Sequence, residues 1–87
     1  MKYSLNKGFI TQKVGDKTTI YSGEDSILYT LNDTASYMLN GIKLGWNEQK
    51  IVEKIVNIYD IKKENVESDF KELILELSKA RILEMVK

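Results

Sequence analysis

Asp69, Glu72 and Glu76 stand at spacing i, i+3 and i+7 within "VESDFKELILELSK". On a helix they share one flank. Neighbouring carboxylates can hold a hard cation or divide acid–base work between them. No second set of carboxylates at matching spacing faces them, so the flank reads as a solvated helix face. The rest of the catalytic inventory is short. The sequence contains no His and no Cys. That removes the commonest general base, the commonest metal ligand, the thiolate nucleophile and any disulfide. No Gly-rich phosphate loop is present, and an enzyme would have to work with Asp, Glu, Lys, Ser or Tyr alone. The expectation is a protein that is not an enzyme, with no catalytic residues, no metal and no cofactor.

At 87 residues the chain fits one domain. Thirteen basic and thirteen acidic residues cancel, but they are unevenly placed. Met1 to Gly23 carries four Lys and one Asp, whereas Glu64 to Ala80 carries five acids and two Lys. The N-terminal "MKYSLNKGF" is neither a signal peptide nor a membrane span. A cytoplasmic protein that does not enter a membrane is expected.

The elements that must position any site follow from periodicity. "FITQKV" (9–14), "TTIYS" (18–22) and "ILYTL" (27–31) are β-favouring. They are separated by turn chemistry in "GDK" and "GEDS". Alternation in the third segment sets Ile27, Tyr29 and Leu31 on one face and Leu28 and Thr30 on the other. The period then changes. Asn32 or Asp33 can cap a helix over about 34–43, whose Ala35, Met38, Leu39 and Ile42 share a face. Gly45 suits its C-terminus. Asn47 caps a second helix, 48–59, striped by Ile51, Val52, Ile55, Ile58 and Tyr59. A third, about 64–80, carries Val66, Phe70, Leu73, Ile74 and Leu77, with Leu75 on its opposite side. "RILEMVK" reads as a short extended tail. Three strands followed by three helices make an α+β domain: a three-stranded antiparallel sheet covered by a three-helix, winged-helix-like cluster.

Two features of this plan bear on function. The segment "SILYTL" contains no Lys, Pro or acid to blunt it as a sheet edge. An open edge beside an amphipathic helix can capture an extended peptide: backbone pairing supplies affinity, and a groove reads alternate side chains. A winged-helix DNA-binding regulator is the alternative. DNA affinity, however, rests on cationic contacts to phosphate, and the last helix here is acidic. Trp46 and Tyr59 offer a stacking surface, but a Trp beside a helix cap more often fixes the turn.

The string "LNDTASYMLNGIKLGWNEQKIVEKIVNIYDI…VESDFKELILELSKARIL" resembles the PqqD-like family of peptide-recognition domains, also called RiPP recognition elements. The matching positions are Leu31, Asn32, Thr34 and Ala35, then Gly45, Ile51, Ile55 and Tyr59. In the last helix they are Val66, Asp69, Phe70, Leu73, Ile74 and Leu77. The likeness spans about two thirds of the chain. It departs at Asp33, where the family usually has Pro, and near Arg81, where it has Gly.

The resemblance implies one domain over residues 1–87 and a free-standing, non-catalytic member of the family. Such a protein binds the leader region of a ribosomally synthesised precursor peptide and delivers it to a modifying enzyme, such as a radical SAM enzyme or a lasso-type leader peptidase. It also implies that the leader pairs along Ile27, Leu28, Tyr29 and Thr30. The groove side would come from Val66, Asp69, Phe70, Leu73, Ile74 and Leu77, some of which belong to the core. The flank of Asp69, Glu72 and Glu76 would favour a basic leader residue. Self-association of the same edge into a homodimer is a further alternative. No nucleic acid is expected as a partner.

Overall fold

The computed structural model describes residues 2–22 and 27–86, without the side chains of Lys2, Ile27 and Val86. The turn expected at "GEDS" lies outside the described residues. In chain order the elements are β1 (Lys2–Leu5), β2 (Phe9–Val14), β3 (Lys17–Ser22), β4 (Ile27–Leu31), α1 (Asp33–Lys43), α2 (Glu48–Tyr59), α3 (Lys63–Lys79) and β5 (Leu83–Val86). The α+β, winged-helix-like plan read from the sequence is the plan observed, and no helix end differs from expectation by more than one residue.

Strands β2, β3 and β4 form an antiparallel sheet with β3 in the centre. Gly15, in the left-handed region at φ 64°, makes the tight β2–β3 turn. Thr18 opposes Leu31 and Ile20 opposes Tyr29, but Tyr21 opposes Ile27. Leu28 is therefore the extra residue of a β-bulge, which twists the strand locally. The inner face of this sheet supplies Ile20 and Leu31 to the core.

A second sheet was not anticipated from sequence. β1 and β5 pair antiparallel, with Lys2 opposite Val86 and Leu5 opposite Leu83. The tail expected at the C-terminus is extended, as read, but it is paired with the opposite end of the chain. Its entry into the core is set by the end of α3. The Arg81 N–H donates to the Ser78 carbonyl at 3.0 Å and the Ile82 N–H donates to the Leu77 carbonyl at 2.8 Å. Those bonds, with Arg81 at φ 61°, are a Schellman cap. The accompanying apolar contact is supplied by Leu77 and Ile82, both fully buried.

The same device ends α1. Gly45 has φ 82°, its N–H donates to Ile42, and the Trp46 N–H donates to Gly41. Gly41 is a site of close helix approach: a Cβ there would lie 2.8 Å from Cγ1 of Ile51 and 3.1 Å from the Trp46 ring. Tyr37 packs against Trp46 and Tyr59 at centroid distances of 6.2 and 6.3 Å. Lys50 Nζ lies 4.6 Å from the Trp46 ring centroid. Trp46 and Tyr59 thus staple α1 to α2 rather than offering an open stacking face. α1 sits at the centre of the molecule and touches both sheets and both other helices. The core gathers Met38, Leu39 and Ile42 of α1, Ile51, Val52 and Ile55 of α2, and Val66, Phe70, Leu73 and Leu77 of α3.

Candidate peptide-binding cleft

The junction between β4 and α1 is built from short polar side chains. Asn32 has extended backbone, and its Oδ1 accepts the Ala35 N–H at 2.9 Å, satisfying a free amide of the first helical turn. The Thr34 hydroxyl donates to the same oxygen at 3.1 Å. Asp33 Oδ1 accepts the Thr34 N–H at 2.9 Å and places a negative charge at the helix N-terminus, where the helix dipole favours it. The buried Ser36 hydroxyl donates to the Leu31 carbonyl at 3.3 Å, tying α1 to the last residue of β4. These bonds hold the strand end and the helix start in one rigid corner.

That corner is one wall of a cleft of about 310 Å³. Thr30, Leu31, Asn32, Thr34, Ala35 and Met38 line it from β4 and α1, and Asp69, Glu72, Leu73 and Glu76 from α3. Because β4 pairs only with β3 among the described strands, its free edge opens on this space. The floor is apolar, with Leu31, Met38 and Leu73 nearly covered. The rim is polar and exposed. Asp69, Glu72 and Glu76, read from sequence as a solvated helix face, form the α3 side of that rim. No Lys or Arg lines the cleft among the described residues. None of the three carboxylates makes a hydrogen bond or ion pair with another described residue.

The candidate residues sort unequally around this space. Thr30, Asp69 and Leu73 line the cleft. Ile27 supplies backbone at the start of β4, and its side chain is outside the description. Leu28 is exposed at the bulge, and Tyr29 is half-buried against the core. The α3 stripe, part of which the sequence assigns to the core, divides between core and surface. Val66, Phe70 and Leu77 are at most 1% exposed and face the core. Ile74 lies on the other flank of α3, among Tyr3, Leu75 and Met85. A stripe as wide as i, i+4, i+7, i+8, i+11 wraps too far round a helix to face a single partner. Leu31, Asn32, Thr34, Ala35 and Met38 were read as capping, core and family signature, not as cleft lining. The usable signal was the cap position itself: a corner that ends an edge strand must border whatever lies beside that edge.

Burial first, then the carboxylates of Asp33 and Asp16, hold the Tyr59 phenol above its ordinary 10.0. It therefore stays protonated near neutral pH and is no base there. Among the described residues no group of three or more carboxylates is placed to hold a metal ion, and no helix is long and apolar enough to cross a membrane.

Two solved structures share this fold. TbiB1 in complex with the TbiA(beta) leader peptide aligns with a TM-score of 0.82 at 18% identity, over 100% of this chain and 99% of that one. Lasso peptide synthetase B1 complexed with the leader peptide aligns with a TM-score of 0.85 at 15% identity, over 98% of this chain and 100% of that one. At such identities the likeness is one of fold. No curated protein matches the sequence. The family described as coenzyme PQQ synthesis protein D (PqqD) matches residues 18–83, which include the cleft-lining residues of β4, α1 and α3. With more than half its length matched, and with the strand edge, polar corner and last helix all inside the match, the chain belongs to the PqqD family.

Proposed function

We propose that this protein is a non-catalytic recognition domain that binds the leader segment of a ribosomally synthesised precursor peptide and presents it to a modifying enzyme. The leader adds as a strand to the free edge of β4 and lays alternate side chains toward α3. The observation that carries the reading is the open edge of β4 beside a cleft with a buried apolar floor. Backbone pairing and a side-chain groove are the two parts strand addition needs. Family membership supports it, as do neighbours of the same fold whose structures contain leader peptides. The partner enzyme in this reading is a radical SAM enzyme or a lasso-type leader peptidase. DNA binding is a poorer fit, because the last helix would set an acidic flank against phosphate.

The test is titration of the 15N-labelled protein with the leader of a precursor encoded beside its gene. The expected result is amide shifts concentrated at residues 27–35 and on the α3 flank bearing Asp69, Leu73 and Glu76. Shifts that avoid both walls would overturn the binding mode. The same edge could instead pair two copies of the chain. Sedimentation with and without peptide separates these, since an edge-paired dimer dissociates when peptide takes the strand position.

A further inference from the structure

The geometry points to the chemistry of the bound segment: the cleft takes a Lys or Arg side chain of the visiting peptide. This rests on the strand-addition reading above and says which residue the groove selects. The floor of the cleft is lined by Leu31, Met38 and Leu73, all nearly covered. Its rim carries Asp69, Glu72 and Glu76 on the α3 side, and Thr30, Asn32 and Thr34 on the β4–α1 side. An apolar floor with an anionic rim suits a side chain with a long aliphatic stem and a cationic head. A carboxylate of the peptide would be repelled there, and a purely aliphatic side chain would leave the rim without a partner.

The charge pattern of α3 strengthens the argument. Asp69 and Glu72 are three residues apart and Glu72 and Glu76 four, so like charges adjoin along one helix face, an arrangement that weakens a helix. Lys79, one turn beyond Glu76 on this flank, makes no ion pair with it, and none of the three carboxylates is ion-paired among the described residues. Lys71, the nearest cation in sequence to Glu72, lines the opposite flank with Ile74 and Leu75. A cationic head at the rim relieves this repulsion and gains charge-assisted hydrogen bonds. Charge complementarity therefore commits the occupant to a peptide with a basic residue at the position facing α3.

The experiment is selection from a displayed library of random peptides of about 12 residues, long enough to cross an edge of this length. The bait is the full chain. Its recovered peptides should carry Lys or Arg at one fixed place among apolar neighbours. Replacing that residue with norleucine should weaken binding roughly tenfold and flatten its salt dependence. The double variant Glu72→Lys/Glu76→Lys, both on an exposed helix face, should enrich acidic residues at the same place.

Peptides that shift the amides of β4 and α3 but show no basic preference, and that bind Glu72→Gln/Glu76→Gln equally well, would overturn this inference and leave strand addition standing. Peptides that shift amides elsewhere, or failure to recover any, would overturn strand addition and this inference with it.

Discussion

Arg81 holds a left-handed backbone, φ 61°, where the family resemblance leads one to expect glycine. An L-residue with a bulky side chain is disfavoured there, whereas Gly is not. Arg81→Gly should therefore raise stability by about 0.5–1 kcal/mol in urea unfolding, despite the added freedom of the unfolded chain. Gly41 is the reverse case. Its missing Cβ lets Ile51 and Trp46 close on α1, and Gly41→Ala should cost about 1–3 kcal/mol by overpacking, seen as a lower urea midpoint at unchanged slope. Residue type left the α1 cap open between Asn32 and Asp33, and the structure gives it to Asn32. Asn32→Ala should cost about 1 kcal/mol and also weaken leader binding, because the cap holds one wall of the cleft. A variant with that stability loss and unaltered affinity would show that the corner does not need to be rigid.

At the scale of elements, the three helices and strands β2 to β4 came through with small shifts, because period and caps are local signals. What periodicity does not reveal is which residues of a wide stripe face the core. Phe70 and Leu73 look equivalent in sequence, yet Phe70 is sealed inside while Leu73 forms cleft floor. Phe70→Ala should cost about 3–5 kcal/mol and lose binding only through unfolding. In contrast, Leu73→Ser should reduce affinity even where thermal denaturation shows most molecules folded. The β4 edge makes a sharper test. Leu28 is 41% exposed at the bulge, so Leu28→Lys should change stability by no more than about 0.5 kcal/mol. It should nonetheless weaken peptide capture, since a charge on an open edge discourages strand pairing. Unchanged affinity with an intact fold would place the peptide elsewhere.

For the molecule as a whole, the pairing of β1 with β5 joins the two ends of the chain. It presses Ile82 and Leu83, both almost fully buried, against the helices. In a domain of this size, which buries a modest fraction of its surface, such closure matters. Ile82→Ala should cost about 2–5 kcal/mol, read as a fall in the urea midpoint, although Ile82 does not line the cleft. The sequence by itself determined the order of β2 to β4 and the three helices, the Asn47 cap of α2, the lack of thiol and imidazole chemistry, and the acidic flank of the last helix. Each of these is written in residue type or in spacing over a few turns. Only the tertiary structure decided that residues 2–5 and 83–86 are partners, because β pairing across the whole chain leaves no mark in a local window. It also decided that Val66, Phe70 and Leu77 turn inward while Leu73 borders the cleft. Lastly, it set the polar corner at Asn32 to Thr34 opposite Asp69, Glu72 and Glu76. That juxtaposition depends on how α1 and α3 cross over a shared core, and the crossing is settled by packing of side chains distant in sequence.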